Sequence, residues 1–356
     1  MSKASAFFVE QLLHWHTHHN DREMPWKGEA DPYKIWLSEV ILQQTRVAQG
    51  WSYYLRFVEA FPTVQDLAAA PDDAVMKLWE GLGYYSRARN LLQAARDVVK
   101  ELNGQLPATY TGWRKLKGVG PYTAAAIASF AFNEDVPVVD GNVYRIYARY
   151  FGVDTPIDTT AGKKTFQELA EQLLPLGHAR DYNQAIMDFG ATVCTPKAPK
   201  CSTCPMQAHC VAKAKGKVGE WPVKAKKRKR KTRYFHYLVF QHNGHTFLRK
   251  RTGKDIWQGL HDFPMIEGEK WLSPKELQAT AEGQAWHQGT GEWRERGRYQ
   301  QQLTHQNIHA VFYEIEAEPK AESHWFSVPQ AEITNFAFPK IVDCYLRDNT
   351  LYLTLH

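Results

Sequence analysis

Nowhere among its 356 residues does the chain run apolar for the length a bilayer span requires, and the opening Met1-Ser-Lys-Ala has no hydrophobic signal stretch. A membrane span and a secretory leader are therefore not expected. Cysteine is scarce: five in all, four of them between Cys194 and Cys210, with Cys344 alone. That clustering excludes the disulfide framework of a small secreted protein and points to metal ligation in a reducing compartment. No repeat of fixed period is present, which excludes solenoids and propellers. Acidic residues all but vanish from Lys213 to Arg233, where eleven Lys/Arg accompany the single acid Glu220.

What is present fits a globular chain. The length exceeds one ordinary domain, so two are expected. Hydrophobic residues at 44% and charged residues at 23% allow a real core. Twelve Trp, seventeen Tyr and seventeen Phe could serve cores or stack on bases. The formal charge of +6 is concentrated in the basic strip, which alone carries +10. A basic strip on an otherwise mildly acidic chain suits a polyanion, DNA or RNA before membrane, although a solvated tether has the same composition.

Up to Cys210 the pattern is helical. Asp31-Pro32 supplies an N-cap and first-turn proline for a helix through Gln49, and Pro62 breaks a second helical region. A helix over 72–79 halts at Gly81-Leu-Gly83, and Tyr84–Val99 resumes it. Alanine-rich Tyr122–Phe130 and then Val143–Tyr150 complete the pattern. After Arg233 the character changes. Tyr234–Phe240 and Thr246–Arg249 form a hairpin across Asn243-Gly244; a helix follows near Pro274–Gly283, a strand at Ile308–Ile315 and a helix at Phe338–Leu346. The fold class is thus an all-α domain followed by a smaller α+β domain. The boundaries are 1–212 for the helical region, including the 194–210 loop, 213–233 for a basic linker, and 234–356 for the second domain.

Chemistry concentrates in four places. Leu116-Lys-Gly-Val-Gly-Pro-Tyr-Thr123 puts Gly118 and Gly120 before a helix N-terminus, a backbone nest able to hold a phosphate, or simply a helix–helix turn. Cys194-x6-Cys201-x2-Cys204-x5-Cys210 reads as a metal site, with spacing that does not separate iron–sulfur from zinc. Glu39, in Ser38-Glu-Val-Ile-Leu-Gln-Gln-Thr45, has apolar neighbours that would raise its pKa and suit a general acid; taken alone, such a residue is more often a surface or capping carboxylate. Asp140 precedes a helix whose amides and dipole would favour its anion, as they would for any N-cap. One protonated and one ionised carboxyl is the pairing that glycosidic-bond cleavage uses.

The hairpin, Val139-Asp-Gly-Asn-Val143 and the four-cysteine loop together resemble the helix-hairpin-helix DNA glycosylase superfamily in its [4Fe-4S]-containing branch. Ser38–Thr45, Trp79-Glu-Gly-Leu-Gly-Tyr-Tyr-Ser-Arg-Ala-Arg89 and the appended second domain resemble, within it, the adenine DNA glycosylase family, which removes adenine mispaired with 8-oxoguanine. That resemblance implies a base-excision repair hydrolase acting on double-stranded DNA with adenine opposite 8-oxoguanine or guanine. It further implies a monomer in the bacterial cytoplasm, at the nucleoid, with a sliding clamp or other repair protein as conceivable partners. By motif, Glu39 matches the acid that protonates adenine and helps place the water, and Asp140 the carboxylate that stabilises the cationic sugar. Tyr122 and Asn142 match residues supporting them. Gln44 and Tyr84 match side chains that enter the duplex beside the lesion pair, and Thr45 joins them at the DNA. Cys194, Cys201, Cys204 and Cys210 match the ligands of a [4Fe-4S] cluster that shapes a DNA-binding loop and takes no electrons from the reaction.

Tyr122 stands where the strand-cleaving relative has lysine, so no Schiff-base nucleophile is expected there and the strand should remain intact. The second domain resembles the Nudix-like lesion-recognition domain of the family through Trp257-Gln-Gly-Leu-His-Asp-Phe-Pro264, with Gln258 and His261 as departures. No Nudix catalytic box follows, so pyrophosphatase activity is not expected. Leu303-Thr-His305 matches the loop that contacts 8-oxoguanine, with Leu303 in place of the aromatic residue; Thr304 and His305 keep the polar groups for a base edge. The alternatives are a thymine or uracil mismatch glycosylase, which would ordinarily end soon after the cysteines, an endonuclease III-like glycosylase/lyase, and a catalytically silent DNA-binding protein, which would need neither carboxylate.

Overall fold

The computed structural model describes residues 2–225, 230–286, 292–320 and 324–349. Contacts divide the chain into two compact units, Met1–Ala69 with Gln93–Lys227 and Ala70–Leu92 with Arg228–His356. The basic strip falls at the junction; its residues 226–229 lie outside the described residues, and Lys231–Arg233 already belong to a strand. Composition gives no sign that residues 70–92 group with the later unit, because that segment is helical like its neighbours.

In chain order the helices are α1 (Lys3–His19), α2 (Pro32–Leu42), α3 (Val47–Ala60), α4 (Val64–Ala69), α5 (Asp72–Leu78), α6 (Ser86–Glu101), α7 (Tyr110–Trp113), α8 (Pro121–Phe132), α9 (Gly141–Phe151), α10 (Thr160–Leu173), α11 (Ala179–Thr192) and α12 (Val211–Ala214). Of these, α5 lies in the second unit and α6 leads from it back to the first. The centre of the first unit is α8. Pro121 starts it after Gly120, alanines extend it at little entropic cost, and every residue from Thr123 to Phe130 is buried. A helix apolar on all sides must sit inside, and α2, α7 and α11 pack around it. Phe8, Leu12 and Trp15 of α1 are buried in the same unit, where Trp15 meets Phe189 of α11 edge-on.

Two helix limits differ from the sequence expectation. Asp31 caps α2 as expected, accepting the Tyr33 N–H, but the helix ends at Leu42 and not at Gln49. Gln44 adopts a left-handed conformation at φ 58°, and the chain restarts as α3. Likewise α6 starts at Ser86, because Tyr84 sits at φ 48°. A residue with positive φ cannot continue a right-handed helix.

The second unit is built on one sheet of β1 (Lys231–His242), β2 (His245–Lys250), β3 (His261–Asp262), β4 (Met265–Gly268), β5 (Trp293–Gln302), β6 (Gln306–Glu316) and β7 (Trp325–Pro329). The strands run β3-β2-β1-β6-β5, with β4 on β1 and β7 on β2. The expected hairpin is present: His242 pairs with His245 around Asn243 at φ 50° and Gly244 at φ 75°, the signs a type I′ turn requires. Its neighbour β6 lies parallel to β1, from Lys231 opposite Gln306 to Gln241 opposite Glu316. Successive side chains alternate between faces. Leu238, Phe240, Val311, Tyr313 and Ile315 join Trp286, Trp293 and Trp325 on one face. On the other, Phe312 stacks between Tyr237 and Tyr345 of α15 (Lys340–Asp348), 4.0 Å from the latter. The single helix expected at 274–283 is instead α13 (Pro274–Gln278), closed by a Ser273/Glu276 capping box, and α14 (Ala281–Trp286). Residues 70–92 join this unit through Asp73 with Lys250 (2.6 Å), Lys77 with the Phe336 carbonyl (2.9 Å) and Glu80 with the Phe338 N–H (2.8 Å).

Candidate active site

The first unit holds a cavity of about 810 Å³ lined by α2, the α2–α3 turn, the glycine hairpin, the start of α9 and α11. Glu39, Gln44, Thr45, Gly118, Gly120, Tyr122, Asp140 and Asn142 all border it. Residues far apart in sequence are thus brought to one hollow.

Glu39 faces this hollow from the middle of α2 with 7% of its surface exposed. Burial raises its pKa from 4.5 to about 7; the Tyr122 hydrogen bond opposes the rise and the Asp140 charge adds to it. Near neutrality a large fraction of Glu39 therefore carries its proton. Tyr122, at the first turn of α8, also directs its hydroxyl to the Met187 sulfur at 3.3 Å. Burial holds that phenol well above its usual range, so it remains a neutral donor.

Asp140 is the N-cap of α9. One carboxylate oxygen accepts the Asn142 and Val143 N–H groups at 2.8 and 2.9 Å, and the other accepts Asn142 Nδ2 at 2.8 Å. The sequence pointed to a carboxyl whose anion is favoured by these amides. The amides do pull that way, with help from Arg145, yet burial outweighs them and the net shift is upward. A network behind the cap keeps Asn142 in place. Arg145 donates to Asn142 Oδ1 (2.7 Å), to the Gly190 carbonyl (2.7 Å) and to the Cys194 carbonyl (2.7 Å). Gly190 leaves just enough room: a Cβ there would lie 2.6 Å from Asn142.

The glycine hairpin puts Gly118 at φ 79°, while Gly120 caps α8 without a side chain and with open space where a Cβ would be. Its amides are unobstructed. The four clustered cysteines are half-buried and unpaired by disulfides. Burial, together with the charges of the other three, pushes the Cys204 thiol up to about 11. Arg149 donates to the Cys194 sulfur at 3.4 Å and to the Thr195 and Pro196 carbonyls. Among the described residues no group of three or more His, Cys, Asp or Glu side chains is arranged around one metal ion.

The remaining sequence-derived residues lie in the second unit. Tyr84 follows Gly83 in a turn of positive φ, is 42% exposed, and hydrogen-bonds through its hydroxyl to Thr304. Thr304 and His305 occupy the β5–β6 turn, closed by the Leu303 N–H on the Gln306 carbonyl at 2.8 Å. Sequence reading missed several cavity residues, among them His16, Arg22, Trp26 and Gln184. Arg22 is held by the fully buried Asp188 at 2.6 Å, which also accepts from Asn20 at 2.8 Å. No local pattern connects residues so far apart in sequence.

Residues 37–173 match the HhH-GPD superfamily of base excision DNA repair proteins, and residues 236–348 match a NUDIX domain. The adenine DNA glycosylase of Buchnera aphidicola subsp. Baizongia pistaciae is 36% identical over 263 residues, covering 73% of this chain and 74% of that protein. The chain belongs to the adenine DNA glycosylases. The human adenine DNA glycosylase is 44% identical over 215 residues, 58% of this chain and 39% of its own length. A solved thermostable thymine-DNA glycosylase is 33% identical, with TM-score 0.56 over 60% of this chain and 98% of that one. An endonuclease III–DNA complex, 20% identical with TM-score 0.51, covers 61% of this chain and 99% of its own and shares the fold. The chain is thus a DNA N-glycosylase with an N-terminal helix-hairpin-helix domain and a C-terminal α+β Nudix-like domain. No helix among the described residues is long and apolar enough to cross a membrane.

Proposed function

We propose that this adenine glycosylase excises adenine opposite 8-oxoguanine or guanine in duplex DNA and leaves the strand intact. The observation that carries the reading is the pairing in one cavity of a buried Glu39 that titrates near 7 with an Asp140 anchored on the α9 amides, with Tyr122 hydrogen-bonded to Glu39 in the same cavity. The Glu39 carboxyl donates its proton to a ring nitrogen of the extruded adenine. The C1′–N9 bond breaks with its electron pair passing to the base, and the Asp140 carboxylate stabilises the cationic sugar. Water adds to C1′, and its released proton returns to Glu39. Asn142 orients Asp140 throughout.

Gly118 and Gly120 hold a backbone phosphate, Gln44 enters the duplex with Thr45 beside it at the DNA, and Tyr84, on the second unit, is read as a further duplex-entering side chain. Thr304 and His305 read the base opposite adenine. Cys194, Cys201, Cys204 and Cys210 would hold a [4Fe-4S] cluster; four half-buried cysteines free of disulfides are the donor set such a centre takes as thiolates. Bound there, a cluster would order the 194–210 loop, and base hydrolysis would draw no electrons from it. A hydrolase with tyrosine at position 122 has no amine there to attack the sugar, which supports hydrolysis without strand cleavage.

The thymine-DNA glycosylase likeness covers 60% of the chain, whereas the Nudix-like domain extends over 236–348. A domain devoted to the opposing base is what a mispaired but undamaged adenine demands. The test is excision from paired duplexes. Adenine opposite 8-oxoguanine should be released fastest, with 8-oxoguanine favoured over guanine; equal rates for the two would remove the role assigned to Thr304 and His305.

A further inference from the structure

Glu39 lies on α2, and Gln43, four residues on, is the C-cap that closes the helix. Opposite them, Tyr122 and Thr123 are adjacent at the first turn of α8. Each residue of one pair takes one of the other. Tyr122 hydrogen-bonds Glu39, and Gln43 Nε2 donates to Thr123 Oγ1 at 2.9 Å. Thr123 is only 2% exposed, so the accepting side of this contact is buried, while Gln43 is half-buried. Directly after Gln43 the backbone turns left-handed at Gln44, φ 58°, with the Thr45 N–H on the Leu42 carbonyl at 3.0 Å. A non-glycine residue keeps such a conformation only where its surroundings impose it. Here the turn is closed from within by Leu42 and Thr45 and tied to α8 by Gln43.

We propose that Gln43 is a positioning residue. Through Thr123 it fixes the Gln44 turn to the same end of α8 that carries Tyr122, so that insertion of Gln44 into the duplex and presentation of the extruded base to Glu39 occur as one event. The two rungs make a short ladder: one holds the acid, the other holds the wedge. This inference rests on the reading of Gln44 as a duplex-entering residue. Gln43 acts through Gln44, not on the reacting atoms.

The test uses single-turnover excision by the full chain and its Gln43→Ala, Thr123→Val and Thr123→Ser variants. One duplex carries adenine opposite guanine; a second carries adenine opposite an abasic site, where extrusion costs less. Gln43→Ala and Thr123→Val are expected to slow excision from the mispair about tenfold, the worth of one hydrogen bond. On the second duplex they should stay within about threefold of the parent, because the extrusion that Gln43 assists is already cheap. Thr123→Ser, which keeps the hydroxyl, should restore the parental rate on the mispair. Parental rates for both disrupting variants on the mispair would overturn the inference, as would equal losses on both duplexes, which would place Gln43 in the chemistry. Failure of the unsubstituted chain to release adenine from either duplex would instead strike at the functional reading itself.

Discussion

Glu39 buries a carboxyl that water would hold near 4.5 and that the protein holds near 7. Because the folded value lies above the unfolded one, the native chain binds this proton more tightly. Its stabilising contribution is complete below about 4.5 and is lost as pH rises through about 7. Glu39→Gln should therefore stabilise the protein at pH 8, by on the order of 3 kcal/mol, with less than about 1 kcal/mol remaining at pH 5. Urea unfolding at the two pH values checks this, and a gain of equal size at both would refute the burial argument. In the proposed mechanism this is the proton given to adenine, so the excision rate of the parent should fall as pH rises through about 7, and Glu39→Gln should lose at least about a hundredfold. Asp140 combines cap and charge, and the two can be separated. Asparagine caps helices as well as aspartate does. Asp140→Asn should leave the melting temperature and most DNA binding intact while abolishing excision; joint loss of binding and excision would make Asp140 structural.

At the scale of elements, α9 and α11 meet where Gly190 faces Asn142. A methyl group at 190 would stand 2.6 Å from Asn142 Cβ and 3.1 Å from its Oδ1. Gly190→Ala should push Asn142 off Asp140 and lower excision about tenfold or more, since a misplaced orienting group costs transition-state alignment. A circular dichroism melt that shifts while the rate stays parental would mean α11 moves instead. Much at this scale is legible in the sequence. The alanine run of α8, the Asp31 and Asp140 caps and the Asn243-Gly244 hairpin are written in local residue choices. The stop of α2 at Leu42 is not, because neither Gln43 nor Gln44 is a helix breaker; tertiary anchoring imposes the left-handed turn. The parallel pairing of β1 with β6 is equally hidden, since about seventy residues separate the strands and periodicity carries no partner information. Arg22 escapes for a similar reason: Asp188, which holds it, is brought to it only once α11 packs on α1.

For the whole molecule, the chain passes between the two units three times, and the last of these passages, at 227/228, runs through the basic strip. If that strip follows phosphates, DNA affinity must depend on salt through it. Replacing Lys213, Lys215, Lys217 and Lys224 by alanine should flatten the plot of log affinity against log salt by about 0.9 for each phosphate no longer neutralised. An unchanged slope would make the strip a tether only. The identity of the released base decides more. The full chain should be incubated with duplexes carrying adenine opposite 8-oxoguanine or guanine, and thymine or uracil opposite guanine, with and without alkali. Adenine release with strand breaks only after alkali is the expected result; breaks without alkali, or preferential release of thymine or uracil, would contradict the roles of Tyr122, Glu39 and the Nudix-like domain.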